Sequence, residues 1–477
     1  MKLTDGDRIF KDALLRGTGR CVAMLSTESA RRKYRPLVIW ACGRNLGYDT
    51  QIEGTRALFL YDLIGQYPSP EPFLDVVEER FFASFNKGNL LFQQECELLA
   101  IFAASGNERA RRILERGYGR LLRYLRRLNP AKISKPYIPA PDNFESLCEQ
   151  LMSCAKPAEV RPTLERVVRG VGELCMRDHF WTGTAHSVHL SLVSVFGEKR
   201  LAAMLGRIRA SPEVEAYKAA VLQEKKEFEA EIAERKRRRV FGYREVYRRI
   251  KEQDTSGIRS ILWSWERNGR TRDIEGLVRL YEKEEDTTTR ARILDMFRGP
   301  KYKVYLPVDN VVRDASSEDD ELRATALRAL DGIKSPRVRD FALGMLKKRG
   351  ITYETSCLIA SNYRESDDDL LIAALKELGE MRRHHLGFGV LDYNVGGTRD
   401  RLSRRILMYL YNTTRCSACR ERVVRELGRR HLLTDGMLAE CLHDASIDIR
   451  DYAERLLSCR RAKVDVAMAD KKRDHEK

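Results

Sequence analysis

Nowhere in the 477-residue chain is there a run of about 18 apolar residues, so no segment is long and apolar enough to cross a bilayer as a helix. Cysteine is present but unpatterned. The eleven cysteines, an odd number, are scattered without framework spacing, which suits thiols in a reducing cytoplasm rather than a disulfide scaffold. The opening residues, MKLTDGDRIF, carry two aspartates and no apolar core, so no secretory leader is expected. A nucleotide-cradling glycine loop, a nucleophile elbow and a zinc-protease helix are all missing. Gly387 and Gly389 follow no strand and precede no helix start, so they do not support a dinucleotide site. The expectation is a chain with no cofactor and no catalytic residues.

What is present is amphipathic helix. Hydrophobic residues make up 43% and charged residues 33%, and the net charge is +17, most of it within residues 1–250. Such a surplus attracts nucleic acid, anionic membrane or acidic partners. Here it is diluted through helices of mixed sign, as on a solvated repeat surface.

The most specific stretch is Asp314 to Leu346. Leu322, Ala326 and Leu330 recur at helical spacing, with Asp319 and Asp320 in the first turn, where acids complement the helix dipole. Asp331-Gly332 breaks that helix, and Ser335-Pro336 starts the next as N-cap and first-turn proline. Val338, Phe341, Ala342 and Met345 line one face of the second helix, and Gly350 ends it. Two short helices with apolar faces need neighbours to bury them, and stacking similar units supplies those neighbours.

The wording returns. Asp314-Ala315-Ser316 followed by Leu322-Arg323 and Ala326 is echoed by Asp444-Ala445-Ser446 followed by Ile449-Arg450 and Ala453. Val338-Arg339 with Ala342 is a third instance, and Ile258-Arg259 with Leu262 a looser fourth. Over roughly residues 250–460 this resembles the HEAT-repeat family, armadillo-like α-solenoids whose second helix opens on an aliphatic-Arg pair. The resemblance implies that Asp314, Asp444, Arg323, Arg339 and Arg450 support packing between successive repeats. The fold expected is all-α: an α-solenoid of stacked antiparallel helix pairs in two arms.

In order, residues 1–128 read as a helical arm with degenerate repeats. Leu90 to Phe102 is apolar nearly all round, and Asn107 to Leu128 is a long helix carrying Arg109, Arg112 and Arg116 among its eight arginines. Residues 129–143, NPAKISKPYIPAPDN, hold four prolines and read as an extended linker. Residues 144–240 end in a long basic helix from Ser211-Pro212 to about Arg239, with Val214, Tyr217, Val221, Phe228 and Ile232 as a narrow apolar stripe. Its end, with Arg235, Arg237, Arg238 and Arg239, is the densest positive run, although Glu231 and Glu234 stand at pairing distance along the helix. The array then occupies residues 241–459, interrupted by a glycine-rich loop at 384–397, and residues 460–477 read as a frayed polar tail.

Candidate chemistry is thin. His186 and His189 share a helical face near His179, but no further ligand stands at a usual metal spacing. Cys416 and Cys419 form a lone CxxC inside an amphipathic pattern, where buried thiols are ordinary. Trp263 and Trp265 with Glu266 or Asp273 are the only residues to offer a HEAT-like DNA glycosylase site, and residues two apart point to different sides of a helix. The function expected is therefore a cytoplasmic, non-catalytic scaffold for a protein partner bound along a concave surface. The runner-up is a nucleic-acid-binding protein using Arg109, Arg112, Arg116, Arg235, Arg237, Arg238 and Arg239. The third reading is attachment to an anionic membrane surface through the 235–239 cluster.

Overall fold

Side-chain caps decide where the chain turns. Thr4, Thr27, Asn107, Asp286, Asp319, Ser335, Thr352, Ser403 and Thr434 each accept a hydrogen bond from a first-turn backbone N–H, satisfying a donor the helix leaves over. The computed structural model describes residues 4–49, 52–85, 90–128, 139–236, 242–252, 270–297, 300–379 and 403–475. Among them there is helix and no strand. The expected all-α helical repeat is what the chain forms, with neighbouring helices packed in pairs.

The chain divides into two compact units. One comprises residues 1–233, 415–421 and 433–477, and the other residues 234–414 and 422–432. The first unit opens with α1 (Asp5–Arg16), α2 (Arg20–Met24), α3 (Glu28–Cys42) and α4 (Ala57–Ile64). It continues with α5 (Glu71–Ala83), α6 (Leu90–Ala104), α7 (Glu108–Arg127), α8 (Pro139–Ser153), α9 (Val160–Arg177) and α10 (Thr182–Phe196). α11 (Glu198–Gly206) and α12 (Pro212–Lys236) follow. Helices α4, α6, α8 and α10 pack side by side in one layer, and α5, α7 and α9 lie in a second layer against them. Apolar residues of both layers make one continuous core, including Phe59, Phe81, Phe92, Leu114, Phe144 and Val171.

In the second unit come α13 (Tyr243–Lys251), α14 (Thr271–Lys283), α15 (Thr287–Asp295), α16 (Pro300–Lys303), α17 (Val308–Asp314), α18 (Asp320–Leu330), α19 (Pro336–Arg349), α20 (Tyr353–Ser361), α21 (Asp368–Lys376) and α22 (Arg404–Thr413). After α23 (Ser417–Arg429) the chain ends in α24 (Asp435–Cys441) and α25 (Ile447–His475).

Buried arginine–aspartate rungs tie these helices together. Arg290, Arg339 and Arg420 each occupy the fourth position of their helix and reach an aspartate further along the chain. Arg290 donates from Nε to Asp314 at 3.0 Å and is joined there by the Tyr281 hydroxyl at 2.6 Å. Arg339 holds Asp367 at 2.6 Å, and Arg420 holds both oxygens of Asp444 at 2.9 and 2.8 Å. Arg323 and Arg450 occupy the same helix position but act differently. Their guanidinium groups donate to loop carbonyls just ahead of their own helices: Arg323 to Ser317 and Glu318, and Arg450 to Asp444, with a further bond to the Asp62 carboxylate at 2.8 Å. By its contact Arg339 thus belongs with Arg290 and Arg420, although it shares the helix position of Arg323 and Arg450.

Both ends of the chain meet inside the first unit. Gly17 closes α1 in the left-handed region at φ 67°, and its carbonyl accepts from the Ala445 N–H at 2.8 Å and from Arg420 at 3.3 Å. A Cβ on Gly19 would stand 2.0 Å from the Glu440 carbonyl oxygen, so only glycine allows this approach. The unit boundaries therefore cut across the single array expected over residues 241–459. Two further expectations change. Pro139 and Pro141 lie in the first turn of α8, where proline's fixed φ suits a helix, so the extended linker does not include residues 139–143; residues 129–138 lie outside the described residues. The tail from Arg460 is helical to His475, anchored by Arg460 on Asp435 and on the Leu433 carbonyl at 2.8 Å. The stripe on α12 is also only half used: Val214 and Tyr217 are buried, whereas Phe228 is 60% exposed.

Candidate functional site

The arginine-rich helix comes first because its charge drew attention. Ala110, Ile113, Leu114, Tyr118, Leu121, Leu122 and Leu125 give α7 a buried stripe at helical spacing, which turns its arginines outward or sideways. Several of them meet carboxylates from neighbouring helices. Arg109 donates to Glu71, to Asp75 at 2.7 Å and to Glu78 at 2.9 Å, all on α5. Arg116 bonds the other oxygen of Glu78 and lies 5.4 Å from the Phe82 ring centre, with Arg120 at 4.7 Å on the same ring. Burial pushes the Glu78 carboxyl up, but the hydrogen bonds from Arg109 and Arg116 outweigh it and leave it below the usual range. Arg111 is buried against Glu159 at 2.6 Å, and Arg126 meets Glu173 at 2.5 Å. Arg112, Arg123 and Arg127 stay exposed and form no close ion pair with a carboxylate among the described residues. Arg235 lies at the end of α12, and Arg237, Arg238 and Arg239 lie outside the described residues.

A different arrangement occupies the other layer. Between α4, α6 and the starts of α23 and α25 lies a groove of about 360 Å³. On one side Glu53 is fully engaged: it accepts from Arg56 at 2.5 Å, from the N–H groups of Tyr48 and Asp49 at 3.0 and 2.9 Å, and from Ser417 at 3.0 Å. Glu97, on α6, is not matched in charge. Its carboxylate accepts from the Thr55 hydroxyl and from Gln93 at 3.3 Å, both neutral, and no cation reaches it among the described residues. Burial raises its pKa, and the nearby carboxylate of Glu149 raises it further. The line of acids continues on α8. Glu149 is raised by burial and by Glu145, and Glu145 by burial and by Asp142 although Ser191 donates to it at 3.0 Å. At the lips of the groove Ile52 is 52% and Ile447 60% exposed, and Asp448 stands exposed beside Ile447.

Neither Glu53 nor Glu97 stands out in the sequence as a site. The available signal is Gln93, Gln94, Glu95 and Glu97 interrupting a run that otherwise reads as wholly apolar. Of the other candidates, His179 falls in a single 3-10 turn, His186 and His189 lie on α10, and His189 meets the Tyr217 hydroxyl at 3.1 Å. Among the described residues no group of three His, Cys, Asp or Glu side chains is placed to hold a metal ion. Cys416 and Cys419 are buried thiols. Asp273 is buried at the start of α14 against Arg270 at 2.8 Å; Trp263, Trp265, Glu266, Ile258, Arg259 and the loop at 384–397 lie outside the described residues. No helix among the described residues is long and apolar enough to cross a membrane.

No family model and no curated protein matches the sequence. Among solved structures, the crystal structure of an engineered protein aligns over 80% of this chain and 98% of its own length, at 13% identity and a TM-score of 0.26. A likeness that slight carries no argument about function.

Proposed function

We propose that this chain is a non-catalytic scaffold, HEAT-like in build, that binds another protein through the groove between α4, α6 and the starts of α23 and α25. The observation that carries the reading is the groove itself: apolar lips over a carboxylate that no cation among the described residues neutralises. A face of that kind is complementary to a protein surface rather than to a reacting small molecule. The rungs of Arg290, Arg339 and Arg420 support the HEAT-like reading, because they repeat one contact at one helix position. Thiols that are mostly buried support a reducing, cytoplasmic setting. Photo-crosslinking tests it. With benzoylphenylalanine at Ile447, irradiation in cell extract yields a discrete adduct that Ile52→Asp abolishes, and the same probe at exposed Met176 does not. Identical adducts from both positions sink the reading.

A second reading, polyanion binding, rests on Arg112, Arg123 and Arg127, exposed along one face of α7. Submicromolar binding to short duplex or single-stranded DNA or RNA, weakening steeply with salt, favours it. Binding weaker than about 100 µM at physiological salt removes it. Vesicles of anionic lipid test the membrane reading in the same way.

A further inference from the structure

We infer that the groove is built for a cationic segment of the partner, a lysine or arginine side chain flanked by an aliphatic residue. The inference rests on the scaffold reading and names the chemistry that its groove selects.

The first argument is charge placement. The chain holds 87 lysines and arginines against 70 aspartates and glutamates, so its acids stand amid a surplus of cations. Around α7 that surplus is used, with Glu71, Asp75, Glu78, Glu159 and Glu173 all held by arginine. Glu97, Glu149 and Asp448 have no such partner among the described residues. In a basic protein, carboxylates without cations leave a local negative field that favours a positive occupant over an acidic one.

The second argument is the state of Glu97. An ionised carboxylate has about four lone-pair sites, and Thr55 and Gln93 fill two. Burial already disfavours its charge, so an arriving ammonium or guanidinium strengthens the ionised form and gains more than it does at an exposed carboxylate. Asp448 alone carries little weight, since it lies in the first turn of α25 and suits the helix dipole there. The third argument is shape. At about 360 Å³ the groove falls within the range of about 300–1,000 Å³ typical of sites that enclose a ligand group. Ile52 and Ile447 give a long cationic side chain an apolar bed for its methylenes and for the aliphatic neighbour.

The test uses the full chain and two labelled probes, acetyl-Leu-Lys-Leu-Lys-Leu-Lys-amide and the same peptide with glutamine for lysine, followed by fluorescence anisotropy at physiological salt. The lysine probe binds at least tenfold tighter than the glutamine probe. Glu97→Gln combined with Asp448→Asn weakens it at least tenfold, whereas Glu28→Gln on α3, exposed and paired with Arg32, changes it less than twofold. Thermal melts check that the variants fold, and Ile447→Ser, on an exposed lip, gives a second variant that leaves the core intact. Equal affinity for the two probes, or binding unchanged in the double variant, overturns the inference. Benzoylphenylalanine at Ile447 separates the two levels of argument. If both peptides label it equally, the docking reading stands and the cation preference falls; if neither labels it, both fall.

Discussion

The layer of α5, α7 and α9 and the layer of α4, α6, α8 and α10 handle charge in opposite ways. On α7 a conspicuous run of arginines is largely consumed internally: Arg109 alone meets three carboxylates of α5, Arg116 shares Glu78 with it, and Arg111 and Arg126 each have their own. On α6 and α8 a handful of glutamates, unremarkable by count, is left with neutral donors or with one another. A charged cluster that its neighbours neutralise contributes to packing. An uncompensated charge, whatever its number, is what remains available to a partner.

The largest effect expected comes from breaking a compensated site. Arg420 is fully buried and holds Asp444 through two bonds. Arg420→Ala strands a buried carboxylate and costs about 3–5 kcal/mol, read as a lowered midpoint in urea unfolding. A loss under 1 kcal/mol shows that the rung is not a structural tie. Next is the uncompensated extreme, Glu95 on α6, 1% exposed, with one oxygen accepting from Ser84 at 2.9 Å and the other unpartnered. Burial lifts its pKa to about 8, against the opposing pull of Ser84 and Arg80. The folded pKa lies above the unfolded value, so the folded state keeps its proton while the unfolded state releases it. Stability therefore falls as pH rises from about 4.5, and the loss is complete above about 8. Glu95→Gln removes that slope and makes the protein more stable by about 5 kcal/mol at pH 9, with little change at pH 4.5. Parallel stability-pH profiles for wild type and variant refute the assignment.

How much of this was legible follows from the same contrast. Helix wording is local, so caps such as Asp319 and Ser335 and the apolar stripes of α7 and α18 are readable directly, and with them the repeat architecture. Asp314 and Asp444 are visible as repeated words, but their partners Arg290 and Arg420 stand 24 positions earlier, in a separate Arg-x-Arg-aliphatic wording (Arg290-Ala291-Arg292-Ile293 and Arg420-Glu421-Arg422-Val423) that nothing local links to the aspartates. Arg323, Arg339 and Arg450 look alike in sequence because they share a helix position. Their different roles depend on which acceptors come round to meet them: the Asp367 carboxylate for Arg339, and loop carbonyls for Arg323 and Arg450, with Asp62 beside Arg450. The docking of α1 and α2 against α24 and α25 rests on Gly17 and Gly19, and nothing local marks those glycines as a seam. Glu97 stays hidden for the same reason: a lone acid in an apolar helix reads as noise until its neighbours are known.

Smaller effects sharpen the contrast on the surface. Arg109→Ala leaves Glu71, Asp75 and Glu78 facing one another, at a cost of about 1 kcal/mol that added salt partly restores, while Arg112→Ala stays within about 0.5 kcal/mol at any salt. Equal losses for the two arginines mean that the α5 carboxylates do not need their cation.

The smallest effect on stability is expected at the residue that matters most for binding. Glu97→Gln keeps the contacts to Thr55 and Gln93 in shape and removes a charge that burial and Glu149 already disfavour, so stability near neutral pH is unchanged or rises by a few tenths of a kcal/mol. The raised pKa gives the sign. Wild type loses stability as pH climbs through the titration of Glu97, and the glutamine variant does not. A structural carboxylate behaves otherwise. Glu53, which Arg56, Ser417 and two backbone donors hold below its ordinary range despite burial, is destabilised when replaced by glutamine. Urea titrations of the two variants at pH 7 therefore separate a carboxylate that the fold requires from one that the fold merely tolerates. A loss at Glu97 as large as that at Glu53 makes the groove floor part of the scaffold and leaves it no role in recognition.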